Sequence, residues 1–565
     1  QDKNGNFWIG TLGGGLISID HNTGKKVNYT HNAQNSESLS NNKIWNLFED
    51  NAGTIWIGTS EGLSFYNRTL AKFDTYQANP FSGGNNSVFS VFEDSKGNIW
   101  TGILGGGLNV FDRKEGRFVN EKFASLSHPL LRFNNVFAIA EDPFGVLWLG
   151  TTDGLLSYDK TNGNVKQYKN IPSEKNSLSN NYIRSIYVDN SGILWIGTHG
   201  GGLNAFHPKT DKFSVFKNNP ADPTSLSNDV VMNVFEDSKG ILWIATYGGG
   251  LNRFERKSGK FKSFQNDINN PASINSNFIH SIYEDAKGSL WIGTYGGGIN
   301  LMKDEGKKFL HFTENDGLPN NIINGISPDT KGNLWISTNS GVCKFIPRSL
   351  ESKIVASTRI YNTQDGLQNK FNENANFTGS KGWLYFGGNQ GLNAFHPDSI
   401  NDNKVIPPVV ITKFYLFEKP ARMDTLITNE RTLKLNYKQN FFTFEFAGLN
   451  FLLPKKNRYA YKMEGLNDEW IEFGTRRYVT FTNVDPDHYV FKVKACNNDG
   501  VWNEEGISID ITITPPFWKT WWFTGLSALT ITLLIFAYIR IRTNTLVKQN
   551  VLLEEKVHVR THELQ

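Results

Sequence analysis

The sequence predicts an all-β fold: a β-propeller, then an Ig-like or fibronectin-like β-sandwich, then one transmembrane helix and a short cytoplasmic coiled-coil helix. Three observations predict it. A tryptophan-centred phrase recurs at a nearly fixed period, longer alternating strands follow Pro407-Pro408, and an uncharged run reaches Ile539.

The fullest form of the phrase is Gly192-Ile193-Leu194-Trp195-Ile196-Gly197-Thr198-His199-Gly200-Gly201-Gly202-Leu203-Asn204. Copies place Trp8, Trp56, Trp100, Trp148, Trp243, Trp291 and Trp335 at the same point, and Tyr385 takes the slot in the last. Successive steps are 48, 44, 48, 47, 48, 48, 44 and 50 residues. A period in that range is the mark of a propeller built blade by blade. One unit reads as four strands: inner Ile279–Tyr283, second Leu290–Thr294, third Ile299–Met302 and outer Phe309–Phe312. Asp-x-Lys-Gly suits a turn ending in a left-handed residue, and the Gly triplet permits a tight reversal. Trp, Ile and Phe supply the apolar face that one blade cannot bury alone.

The anchors Trp100 to Tyr385 predict a seven-bladed ring over 78–403, with 1–77 as the last blades of an upstream propeller. A single larger ring is the alternative, disfavoured because propellers run from 4 to 8 blades. From Val409 to Thr514 the strands lengthen, as in Phe441–Phe446 and Tyr489–Lys494, and 404–515 reads as the β-sandwich. Trp521 to Ile539 carries no charge and has the length a bilayer core demands, so 519–540 is the predicted span. Arg540, Arg542 and Lys548 follow it against Lys519 before it, which puts the C-terminus in the cytoplasm. In 541–565, Leu546, Asn550, Leu553, Val557, Arg560 and Leu564 step by four and three, as a parallel dimeric coiled coil would.

Lys and Arg number 58 and Asp and Glu 54, leaving a net charge of +4, so a nucleic-acid partner is not indicated. The 2 cysteines, Cys343 and Cys496, make no metal-ligand spacing. The first residues enter in the middle of a repeat and the last helix is still running at Gln565, so a longer parent chain is expected at both ends.

The order of these parts resembles the hybrid two-component sensors of Bacteroidetes-type bacteria. The Asp-x-x-Gly-x-Leu-Trp-Ile-Gly-Thr phrase is similar to their regulator-propeller repeat. Tyr459-Ala460-Tyr461-Lys462-Met463-Glu464-Gly465-Leu466-Asn467-Asp468-Glu469-Trp470 and Ala495-Cys496-Asn497-Asn498-Asp499-Gly500-Val501-Trp502-Asn503 are similar to their three-tyrosine domain. The resemblance implies a periplasmic sensor of a glycan-derived oligosaccharide, a homodimer in the inner membrane. It also implies a cytoplasmic histidine kinase, absent from these residues, which would use ATP and switch polysaccharide-utilisation genes. The alternatives are a membrane-anchored propeller glycosidase or lyase, and the same sensor with a diguanylate cyclase or DNA-binding output.

Candidate binding residues come from the one position that varies after each second strand: Ser60, Leu104, Thr152, His199, Tyr247, Tyr295, Asn339 and Asn389. A constant frame with a varying rim is how a binding face is built. His199, Tyr247 and Tyr295 are adjacent in blade order, and Arg184 and His280 sit on inner strands at the channel mouth. No catalytic, cofactor or metal set stands out. The Gly triplets lack the Lys-Ser/Thr of a phosphate cradle. Glu93-Asp94, Glu236-Asp237 and Glu284-Asp285 recur blade after blade, unlike the single carboxylate pair of a glycosidase. Thr561-His562-Glu563-Leu564 is similar to the start of a phospho-acceptor box, but its place so near the membrane favours a linker helix.

Overall fold

Each copy of the tryptophan phrase folds as a turn feeding a strand, and an aspartate fixes both. Asp189 Oδ1 accepts from the backbone N–H of Ser191 (2.9 Å) and Ile193 (3.0 Å), closing the turn. Its Oδ2 accepts from the Trp195 indole at 2.9 Å, six residues on. The same indole bond recurs at Trp8, Trp56, Trp100, Trp148, Trp243, Trp291 and Trp335. A buried indole N–H needs such a partner, which explains the fixed spacing of Asp and Trp.

The computed structural model describes residues 1–564 apart from 23, 25, 34–37, 51–52, 68–71, 78–85, 351–352, 401 and 422–431. The chain divides into two compact units, Arg68–Asn401 on the one hand and Gln1–Asn67 with Asp402–Gln565 on the other.

Among the described residues of the first unit, seven four-stranded antiparallel sheets form a closed ring. Blades 1 to 7 have the inner strands Val88–Glu93, Val136–Glu141, Ile183–Val188, Val231–Glu236, Ile279–Glu284, Ile323–Pro328 and Phe371–Thr378. Blade 7 takes its outer strand from Thr75–Tyr76, which pairs with Asn393 and Leu392. The boundary expected at residue 78 lies outside the described residues, and this closing strand is upstream of it. Asn372 Nδ2 completes the seam by donating to Val88 O at 2.7 Å.

The core lies between blades. Trp195, Leu203 and Ala205 of blade 3 pack on Leu226, Val231, Val234, Leu242 and Ile244 of blade 4. Each such buried aliphatic side chain contributes roughly 2 kcal/mol. Glutamates latch the rim: Glu141 accepts from Ser95 of the preceding blade, Glu284 from Ser238, and Glu93 from Ser380 across the ring closure. The repeated Glu-Asp pairs are therefore frame, the Glu holding the neighbouring blade and the Asp holding its own indole.

In the second unit, Phe7–Gly10, Leu16–Ile19 and Lys26–Tyr29 form one three-stranded sheet and Ile44–Glu49, Ile55–Thr59 and Gly62–Tyr66 another. Leu16, Leu39, Ile44, Ile55 and Ile57 are their shared core. The described residues between Val409 and Thr514 form a sandwich of a four-stranded and a five-stranded sheet. Phe414, Phe442, Phe444 and Phe446 face Tyr459, Phe491, Ile509 and Ile511 inside it. Phe444 and Phe491 stack at 4.5 Å. The Tyr489 hydroxyl donates to Asp485 O at 3.0 Å, the corner bond of Ig-like sandwiches. Cys343 and Cys496 are buried free thiols.

One uninterrupted helix, Trp521–Glu563, covers both the expected span and the expected coiled-coil start. It begins after residue 519 because Phe517–Lys519 turn as a 3-10 helix. It is long and apolar enough to cross a membrane, with a mean hydropathy of 1.8 over its best window.

Candidate functional site

The Gly-triplet turns and the segments entering the inner strands meet on one face of the ring. Gly200 and Gly202 donate their backbone N–H groups to Asp229 O of the next blade, Gly248 and Gly250 to Asn277 O, and Gly296 and Gly298 to Asn321 O. Gly202 shows why glycine is required. Its φ is 78°, and an added Cβ would lie 2.2 Å from Phe216 O. This stitching holds the varying residue after each Thr at the rim.

Each inner strand of blades 1 to 6 carries a one-residue bulge at its entry, as between Ile183 and Ser185. The bulged residues are Phe89, Phe137, Arg184, Met232, His280 and Asn324. A bulge re-aims a side chain out of the ladder, here at the channel mouth.

Two aromatic groups result. Tyr247 meets Phe278 at 4.7 Å and Tyr295 at 6.4 Å, and His280 packs on both tyrosines. Tyr247, Phe278 and Tyr295 are 39%, 40% and 45% exposed, while His280 is fully buried. His199 stands apart from them, stacked on Tyr182 at 5.1 Å. The expected trio is thus split: the structure joins Tyr247 and Tyr295, and gives His199 to a second group with Tyr182 and Phe137.

Arg184 lies over the rings of Phe137 (5.2 Å) and Tyr182 (5.7 Å) and pairs with the Glu373 carboxylate of blade 7. Residues 372–375 form a larger bulge there. Phe371 pairs with Gly388 and Asn376 with Phe386, so four residues of this strand stand opposite one, Gly387, where in the other blades a single residue stands opposite none. Asn374, at φ 55°, accepts from Asn233 Nδ2 (2.9 Å) and donates to Met232 O (3.2 Å) of blade 4. Blade 7 therefore reaches across the mouth to blades 3 and 4. Sequence reading passed over Glu373, Asn374, Phe278 and Tyr182. A signal existed for the bulge: the first inner-strand residue precedes the Trp slot by 12 positions in blades 1 to 6 and by 14 in blade 7.

Among the described residues neither ring nitrogen of His280 makes a hydrogen bond of good geometry, the backbone of Ile323 being its one polar neighbour to interact with the ring. Burial holds its imidazole below the ordinary value, against the opposing pull of Glu373 and with the push of Arg184. A depressed folded pKa means stability is complete above the unfolded value of 6.5 and is lost as pH falls through the folded one. We expect His280→Leu to raise stability at neutral pH by about 1 kcal/mol, the desolvation cost of the orphaned nitrogens. Thermal melts from pH 8 to 5 should show that gain widening on the acid side.

Residues 38–61, 82–104, 130–153, 177–200, 225–248, 273–296 and 317–340 match the "Two component regulator propeller" family, and 450–514 match the Y_Y_Y domain. Blade 7, which has Gly379 and Tyr385 in place of Asp and Trp, lies outside those matches. The chain is 30% identical over 235 residues to Histidine kinase P4 of Formosa agariphila, covering 40% of this chain and 17% of that relative. It is also similar to the crystal structure of the extracellular domain of a hybrid two component system from B. thetaiotaomicron. That match has a TM-score of 0.73 at 29% identity and covers 91% of this chain and 67% of the other. With its regulator-propeller repeats, its Y_Y_Y sandwich and this structural likeness, the chain is similar to the extracellular domains of hybrid two-component systems.

Proposed function

We propose that the ring binds a glycan-derived oligosaccharide at the channel mouth, and that the sandwich and membrane helix relay binding to a cytoplasmic histidine kinase. One observation carries the binding half: Tyr247, Phe278 and Tyr295 stand together, substantially exposed, on a rim whose frame is otherwise constant. Exposed aromatics beside convergent polar groups are what a ligand site requires. The relay half is supported by the kinase relative and by the helix. Trp518, Trp521 and Trp522 at its start and Arg540, Arg542 and Lys548 further on orient it with the ring outside. Leu546, Leu553 and Val557 are exposed along one helix and would pack against a second copy, making the sensor a homodimer. Signalling then requires that the ligand favour one arrangement of the pair.

Titration calorimetry of the full chain in nanodiscs against an oligosaccharide panel tests this. Tyr247→Ala and Tyr295→Ala are each expected to weaken the binding found by about tenfold, the loss of one well-packed aromatic contact. Unchanged affinity in both variants would remove the rim from the site. Turnover of the oligosaccharide by the chain would favour a hydrolase or lyase instead.

A further inference from the structure

The same face carries a second concavity, one blade on from Tyr295. Between blades 6 and 7 a cleft of about 300 Å³ is lined by Asn339, Ser340, Asn362, Thr363, Gln364 and Asn369. Its volume is at the low end of small-molecule sites. None of the lining side chains is charged.

The back wall is fixed. Buried Gln368 donates from Nε2 to Gly391 O (3.2 Å) and Asn393 Oδ1 (3.1 Å), and its Oε1 accepts from Gln390 N (3.0 Å). Asn362 Oδ1 accepts from Gln364 N at 3.0 Å, and Asp365 is turned inward, accepting from Asn362 N at 2.9 Å. Asn339 Oδ1 accepts from the bulged Asn324 at 3.0 Å, which ties the cleft to the channel mouth. In front of that wall, the side-chain amides of Gln364 and Asn369 and the hydroxyls of Ser340 and Thr363 make no hydrogen bond among the described residues.

Uncharged donors and acceptors in equal supply match hydroxyl groups, which both give and take a hydrogen bond. A carboxylate or sulfate would give up hydration here with no cation among the lining side chains to offset the loss. Arg184, at the mouth, is already neutralised by Glu373. Asn339 occupies the rim position held by Tyr247 and Tyr295 in the two preceding blades, so the cleft continues the aromatic row. We infer that this cleft is a subsite for an uncharged, hydroxyl-rich ring of the oligosaccharide, an inference that rests on the binding reading above.

The test is calorimetry of the full chain in nanodiscs with three sets of oligosaccharides: neutral, uronate-bearing and sulfated. The tightest binder is expected among the neutral set. Gln364→Ala and Asn369→Ala, both on the surface, should each weaken it about five- to tenfold, as the loss of one neutral hydrogen bond does. Melting temperatures of both variants should match the wild type. Affinity within twofold of wild type in both variants, with Tyr295→Ala still weakened, would overturn the cleft while leaving the rim site standing. A uronate-bearing or sulfated member binding tightest would overturn the ligand class. No binding by any set would overturn the oligosaccharide reading and this subsite with it.

Discussion

Replacing Asp94 by alanine is expected to destabilise the ring by about 3 kcal/mol, the cost of breaking a buried ion pair from one side. Asp94 is fully buried at its side chain and Lys160, of the next blade, is 9% exposed. Lys160 Nζ lies 2.8 Å from Asp94 Oδ2 and 2.6 Å from Glu141 Oε1, so one ammonium ties the turn of blade 1 to blade 2. Asp94 also accepts from the Trp100 indole at 2.8 Å and from the backbone of Lys96 and Asn98. The alanine variant strands all of these donors at once. Arg256 repeats the device between blades 3 and 4, bridging Asp189 (2.8 Å) and Glu236 (2.9 Å).

The pH dependence gives the experiment its control. Burial pushes the Asp94 carboxyl up, but hydrogen bonds from Asn98, Lys160 and Trp100 outweigh it and hold the group below its ordinary value. A depressed folded pKa contributes stability that is present above the unfolded value of 3.8 and lost as pH falls through the folded one. Lys160 works at the other end. Burial pulls it down, its bonds to Asp94 and Glu141 raise it net, and its share is lost only as pH rises above the ordinary lysine range. Denaturant melts of Asp94→Ala against wild type should therefore show a full gap at pH 7 that narrows below pH 3.8. A gap under 1 kcal/mol at pH 7 would mean the latch is not what joins the first two blades.

Removing the carboxylate of Glu373 is expected to cost about 2 kcal/mol, less than a fully buried pair because that side chain is 36% exposed. Arg184 is 10% exposed and keeps its aromatic neighbours and a 3.1 Å bond to the Tyr182 hydroxyl, but loses its counter-charge. A double-mutant cycle with Glu373→Ala and Arg184→Met isolates the pair, and a coupling of 1 kcal/mol or more is the expected result. Coupling near zero would show the two charges to be solvated independently. Because Glu373 and Asn374 carry blade 7 across the mouth, the Glu373→Ala chain should also bind the oligosaccharide proposed for the rim more weakly without any change at Tyr247 or Tyr295.

The frame was legible in the sequence because it is local. Asp189 and Trp195 are six residues apart, and Gly202 answers a clash with a strand of its own blade, so the repeat records the glycine throughout and the Asp–Trp pair in every copy but the last. Hydropathy and length likewise sufficed for the helix Trp521–Glu563. What the repeat could not show is which rim residues face each other. Tyr247 and Tyr295 came out as neighbours, whereas His199, one blade away in the other direction, turned onto Tyr182.

The sequence by itself determined the propeller repeat, the sandwich that follows it and the apolar helix, since turn chemistry, strand alternation and hydropathy act over a few residues. Tertiary structure alone decided the closure by Thr75–Tyr76 and the meeting of Glu373 with Arg184, 189 residues apart. It also decided the burial of His280 and the amide cleft between blades 6 and 7. The physical reason is ring closure. It brings together strands that share no local pattern, and the two-residue insertion in blade 7 acquires meaning only when blades 3 and 4 stand opposite it.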